Sequence, residues 1–313
     1  MRPDRRRTWP RSFRNRLASP LPELREALSA VWHGGLRPHV GDADQIPVRR
    51  SGLTPVTAFQ AMVTWVGHAT YLLRIGGLTV LTDPVWSARI PGVRRRRLTP
   101  PGVAWSDLPP VDAVLISHNH YDHLDIRTLR RLPRNTPFFV PAGLRRWFAR
   151  RGFRRVAELD WWERATLGGL SFDFVPAHHW SRRGVFDTCR TLWGGWMISG
   201  GGHRIYFAGD TAYGERFLEI GERYPGIDLA LMPVGAYESR GFVDETHVDP
   251  AQAVQGCLDV GARRMATMHW GTFVLSGEPL LAPVELARRG WAEHARPRAD
   301  LWDLAIGESR LLR

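Results

Sequence analysis

Residues 118–125 read HNHYDHLD, three histidines and two aspartates within eight positions, directly after the apolar run VLIS. Imidazole nitrogen and carboxylate oxygen form the donor set of zinc, manganese or iron, and metal-assisted hydrolysis is the chemistry such a cluster could do. In an extended loop residues i and i+2 point the same way, so His118 and His120 can clasp one ion. Asp122 and His123 lie past a bend and face a second. Four side chains cannot close two coordination shells, so more ligands must come from farther along the chain.

A strand must deliver this loop. VDAVLIS reads as a buried strand, and LDIRTLRRL as a helix stopped by Pro133. Other candidate donors also sit where strands end: His179 after FVPA, Asp210 after YFAG, His269 after MATM. Strand ends along one edge are where open α/β folds collect active-site groups, because a rigid strand positions the loop that leaves it. For Asp210 the competing reading is an N-cap for a helix over TAYGERFLEI. His68 in VGHAT and Asp83 in LTDP occupy strand-to-turn positions, read as a second layer around the ligands. Asp83 would orient a ligand imidazole through its free N–H, although Asp before Pro is equally an ordinary turn former. His247 stands just before Asp249-Pro250, an N-cap and first helical position; Asp249 does the capping, which leaves the histidine without a structural task.

The runs MVTWVG, TYLLRI and LTVLTD, broken by Gly-His and Gly-Gly, read as a hairpin meander. Further strands fit TPFFVP, LSFDFVPA, TLWGGWMIS, RIYFAGD, DLALMPVG and RRMATMHW, and helices fit 143–151, 214–223, 250–260 and 283–294. Hairpin signals in the first half favour an α/β (α+β) fold of two mixed sheets packed together with helices outside, over one doubly wound parallel sheet. Residues 1–60, rich in Arg and Pro, read as an N-terminal arm with one helix near 21–32; residues 61–313 read as the catalytic domain.

The 313 residues carry a net charge of +12, and all 43 basic residues are Arg. A positive surface implies an anionic partner, phospholipid or nucleic acid. Cys189 and Cys257 are the only cysteines, which excludes a disulfide framework or a thiolate metal site. No window approaches the ~18 apolar residues of a spanning helix. Glu23, Arg25 and Glu26 interrupt what would be the apolar part of a signal peptide, so the expected location is cytoplasmic, with contact to the inner membrane face. No G-x-S-x-G elbow and no Walker loop occurs, so no nucleophilic side chain is called for.

HNHYDH fits the HxHxDH signature of the metallo-β-lactamase superfamily, and the chain from about residue 62 onward resembles the N-acylphosphatidylethanolamine-hydrolysing phospholipase D family. The segments VTWVGHAT, LTDPVWSAR, PAHHWSRR, FAGDTAY, HVDPAQAV, MHWGTF and GESRLL carry that resemblance. It implies an αββα sandwich of two mixed sheets with two metals, taken as zinc, at one edge. His118, His120 and His179 would hold one ion, Asp122, His123 and His269 the other, and Asp210 would bridge them. His179 rather than His178 is chosen because the family places its ligand immediately before Trp. The resemblance puts His247 beside the active site for phosphate contact or proton transfer. It implies cleavage of an N-acylated phospholipid to phosphatidate and N-acylethanolamine by a hydroxide shared between the ions, with Asp122, Asp210 and His247 as the catalytic set. It also suggests a homodimer.

Two other classes compete. One is a hydrolase of the same fold acting on another ester, lactone or phosphodiester, RNA included; nucleic acid is disfavoured because no RNA-grasping arm or aromatic single-strand platform is found. The other is a non-catalytic binding protein with structural metals, whose signature would be lost ligands, and none of the seven is missing. A redox di-iron role is disfavoured because superfamily members of that kind carry Glu where His120 stands. Arg-rich stretches at 1–16, 94–97 and 145–155 and 14 Trp suit contact with an anionic membrane surface.

Overall fold

The computed structural model describes residues 8–21, 43–49, 52–53, 57, 60–93, 96–238 and 246–313. The helix expected near 21–32 lies outside the described residues, except for its first residue. Two seven-stranded sheets form the molecule. The first contains β1 (Ala61–Gly67), β2 (Thr70–Ile75), β3 (Leu78–Thr82), β4 (Ala113–Leu115), β5 (Phe138–Pro141) and β6 (Val156–Leu159), with β14 (Ser309–Leu312) beyond β1. The second runs β7 (Arg164–Leu167), β8 (Leu170–Val175), β9 (Gly195–Gly200), β10 (His203–Phe207), β11 (Leu229–Pro233), β12 (Arg264–Met268) and β13 (Leu301–Trp302).

The sheets share one plan. Read from β14 to β6, or from β7 to β13, three antiparallel pairings are followed by three parallel ones. Parallel pairs need crossovers, and short helices are found in them: α1 (Ile126–Leu129), α2 (Arg145–Ala149), α3 (Arg216–Arg223), α4 (Pro250–Asp259) and α5 (Ala282–Glu293). Gly76-Gly77 and Gly201-Gly202 close the corresponding hairpins β2–β3 and β9–β10, all with positive φ, as a two-residue turn matched to strand twist requires. Within each sheet this pairing sends the exits of β1, β3 and β4, and of β8, β10, β11 and β12, to one edge.

The sheets pack face to face over Trp65, Tyr71, Phe139, Phe172, Phe174 and Trp196, all fully buried. Polar tips of this aromatic layer find carbonyls across it: Trp196 Nε1 donates to Ile116 O at 3.0 Å and Tyr71 OH to Thr267 O at 2.8 Å. Outside the first sheet, Phe138, Phe148, Phe153 and Leu129 bury the faces of α1 and α2. The described parts of the N-terminal arm dock on the sandwich. Phe13 is buried in the main core and its N–H donates to Cys189 O at 2.7 Å, while Ile306 N donates to Pro47 O at 2.8 Å.

The expected hairpin meander and the strands leading to the site are present. Four strands were not anticipated: β6, β7, β13 and β14, each four residues or shorter. The helix expected over 143–151 narrows to α2. At 250, Asp249 and Gln252 form a reciprocal capping box with Pro250 at the start of α4.

Candidate metal centre

The strand exits converge their side chains on one point at the sheet edge. His118 Nε2 lies 2.9 Å from His120 Nδ1, which lies 3.2 Å from His179 Nε2. A second group sits beside it: His123 Nε2 and His269 Nε2 are 3.3 Å apart, and Asp122 Oδ2 is 3.5 and 3.6 Å from them. Asp210 stands between the groups, with Oδ2 3.0 Å from His123 Nε2, 3.8 Å from His118 Nε2 and 3.9 Å from His179 Nε2, and Oδ1 3.2 Å from His269 Nε2. Donors bonded to one tetrahedral ion at about 2.0–2.1 Å would lie about 3.3 Å apart. The spacing of both groups fits that requirement.

Hydrogen bonds on the far side of each ring decide what faces inward. His179 Nδ1 is 2.9 Å from the carbonyl of Thr246, which can only accept, so Nδ1 carries the proton and Nε2 is free to bind a cation. Asp83 accepts from His123 Nδ1 at 2.7 Å and from the Ser117 hydroxyl, whose oxygen in turn faces His118 Nδ1 at 2.9 Å. One buried carboxylate therefore aims two imidazoles, one in each group. Asp83 follows β3 as Asp210 follows β10, at matching exits of the two sheets. Replacing Asp83 with alanine is expected to weaken metal retention about 10–100-fold. Competition titration with a chromophoric chelator would measure it, and unchanged affinity would refute the orienting role.

The site carries backbone strain. His68, Asp83 and His269 adopt positive φ of 54°, 33° and 67°, conformations that cost non-glycine residues free energy and persist where surroundings enforce them. His68 stands against one of the donors. Its Nε2 lies 3.0 Å from Asp122 Oδ2, and it groups with Asp122, His123 and His269. His178 turns away, its Nδ1 3.4 Å from Tyr213 O, leaving His179 as the member of the pair that joins the cluster. The helix after Asp210 begins at Arg216 with Glu215 in the capping position, so Asp210 does not cap it.

His247 packs at 5.1 Å from the His179 ring and 5.4 Å from the His269 ring. Its Nδ1 is buried and has no hydrogen-bond partner among the described residues. Burial lowers its pKa to about 4 despite the pull of Asp210, so the ring is neutral at pH 7. A neutral imidazole can donate one N–H to an oxyanion or accept a proton. It cannot serve as a resting cation.

Charge in the metal-free cluster follows its carboxylates. Burial would push Asp210 up, but His123 and His269 beside it hold it well below the ordinary range. Burial also opposes charge on His269, yet Asp210 and Asp122 raise it to about 9. His118 and His179, buried mainly among other imidazoles, are driven far down. The cluster thus holds protons where its anions need positive charge, and a metal ion supplies the same charge in their place.

One positioning residue escaped sequence reasoning. A single terminal nitrogen of Arg183 donates to Asn119 O at 2.8 Å, His120 O at 3.3 Å and Leu124 O at 2.8 Å, and the guanidinium covers the Tyr121 ring at 4.1 Å. It braces the HNHYDHL loop from behind. Its only sequence signal was its place in HHWSRR. Arg183→Gln should destabilise the fold by about 2–4 kcal/mol, because it leaves carbonyls without donors. Urea unfolding would show it, and a change near zero would remove the bracing role.

Comparison with known proteins agrees with this geometry. The β-lactamase superfamily domain matches residues 79–270. An uncharacterised protein of Mycobacterium tuberculosis is 42% identical over 272 residues, covering 82% of this chain and 71% of that protein. An N-acyl-phosphatidylethanolamine-hydrolyzing phospholipase D of Caenorhabditis elegans is 39% identical over 228 residues, which cover 67% of this chain and 64% of that protein. The metallo hydrolase Igni18 of Ignicoccus hospitalis superposes with a TM-score of 0.63 at 22% identity, covering 81% of this chain and 99% of that one. The chain belongs to the β-lactamase superfamily and is a metal-dependent hydrolase of the metallo-β-lactamase fold.

Proposed function

We propose that this hydrolase is a phosphodiesterase of phospholipase D type, which adds water to N-acylphosphatidylethanolamine and releases phosphatidate and N-acylethanolamine. The observation that carries the two-ion part of the reading is the Asp210 carboxylate, placed between an imidazole group on either side. His118, His120 and His179 would hold one divalent ion, and Asp122, His123 and His269 the other, with His68 against Asp122 and Asp210 shared. Zinc suits the nitrogen-rich, thiolate-free donor set. Such ions supply charge neutralisation for a phosphodiester and lower the pKa of a water toward about 7.

The chain's own residues do the rest. Asp83, Ser117 and the Thr246 carbonyl fix the ring orientations, so no reorganisation is needed when substrate arrives. His247 Nδ1, without a partner among the described residues, is suited to donate to a non-bridging phosphate oxygen or to take a proton from the attacking side. The phospholipid is supported by the name of the C. elegans relative and by the basic, Arg-only charge of the chain.

The test is incubation of metal-loaded protein with vesicles of N-acylphosphatidylethanolamine and, separately, with a structured RNA, with products read by mass spectrometry. Phosphatidate and N-acylethanolamine are expected. Released fatty acid, or cleaved RNA with intact lipid, would overturn the assignment.

A further inference from the structure

Phe186 and Val185 are the most exposed large apolar residues described, at 84% and 73%. They form the tip of a loop that leaves the metal centre directly: Trp180 packs on His120 at 4.9 Å, and Arg183 holds the HNHYDHL loop. This tip is braced. Asp187 accepts from Arg183 N at 3.0 Å and from Gly184 N at 2.7 Å, and Cys189 N closes the base of the loop on Ser181 O at 2.8 Å. Two apolar side chains are thus exposed on a loop whose backbone is tied by hydrogen bonds.

The surroundings are cationic. Arg182 and Arg190 are exposed within the same loop. The Trp147 ring links the loop to α2, with Arg183 at 5.4 Å and Arg151 at 3.9 Å, and Arg146, Arg150 and Arg154 are exposed along and just after that helix. A protein partner generally requires about 1,200–2,000 Å² of buried surface with an apolar centre, far more than one Val-Phe tip offers. A bilayer requires much less: a small apolar plug among the acyl chains and several cations at the headgroups, neither sufficient alone.

We propose that Val185 and Phe186 form an insertion finger that seats the catalytic edge on an anionic phospholipid bilayer, with Arg182, Arg190 and the α2 arginines meeting the headgroups. This rests on the phospholipase reading for the choice of a lipid surface, and it names the partner that would present the substrate.

The protein would be sedimented with phosphatidylcholine vesicles, with and without phosphatidylglycerol. The wild type should partition onto the anionic vesicles, and a V185S/F186S double variant should partition on the order of tenfold less. That variant should keep wild-type turnover on a soluble phosphodiester. Because Cys189 and Cys257 are buried, a Phe186→Cys variant can carry an environment-sensitive fluorophore at the tip, and its emission should shift to the blue on anionic vesicles. Equal partitioning of the double variant, a probe that stays in water, or a wild type that does not bind vesicles would each overturn the finger. None of these readouts needs lipid turnover. A wild type that binds through the tip yet leaves N-acylphosphatidylethanolamine intact would uphold the finger and remove the substrate assignment.

Discussion

Asp210→Ala is expected to lower kcat on the order of 10²–10³-fold or more, with metal content falling below that of the wild type. The reason is geometric as well as electrostatic. Among the described residues, Asp210 is the one carboxylate whose oxygens lie within 4 Å of both imidazole groups: His118 and His179 on one side, His123 and His269 on the other. Removing it leaves the nitrogens in place and takes away the anion between them. Asp210→Asn isolates the charge, since its shape is kept. Elemental analysis with turnover on one preparation would check both variants. Wild-type turnover with full metal content in either would rule out the shared role.

Removing the metal should abolish turnover and lower stability by about 3–4 kcal/mol relative to protein in a few-hundred-fold excess of free ion over its Kd. The deficit should also acquire a pH dependence. In the metal-free chain burial disfavours charge on His269, but Asp210 and Asp122 raise its pKa to about 9. A raised pKa in the folded state contributes stability that is complete below about 6.5, the unfolded value, and is lost as pH climbs through 9. Metal-free protein is therefore expected to weaken between about pH 6.5 and 9, as its cluster gives up protons and its carboxylates lose their counter-charge. Loaded protein should not, because the ion holds that charge at every pH in the window. Urea unfolding of both forms across it would decide, and parallel stability curves would count against the coupling.

Much of this site was written in local sequence. The HNHYDH loop declared its donors because imidazoles so dense have no ordinary surface use, and i, i+2 alternation separated His118 and His120 from the pair that follows. Strand endings flagged His179, Asp210 and His269, since an apolar run terminated by a polar donor is a local pattern. Asp249 and Gln252 announced the start of α4 in the same way, as a capping box is built from residues three apart.

The remainder depended on partners distant in the chain. His68 could be placed near the site by its turn, but its contact with Asp122 spans 54 residues and exists only once β1 and β4 lie in one sheet. Arg183 reaches carbonyls 59–64 residues away, so no local pattern could mark it as a brace. The short strands β6, β7, β13 and β14 are too brief for alternation to show, and pairing with neighbours defines them. Which donors exist, and on which strand ends, is a matter of residue type and short-range periodicity, which the sequence alone determines. That those ends meet within hydrogen-bonding distance, and that Asp83 aims two rings in different groups, is decided by the stacking of two sheets over a shared aromatic layer. Backbone pairing sets direction within a sheet, and only the packing of Trp65, Tyr71, Phe174 and Trp196 aligns one edge with the other.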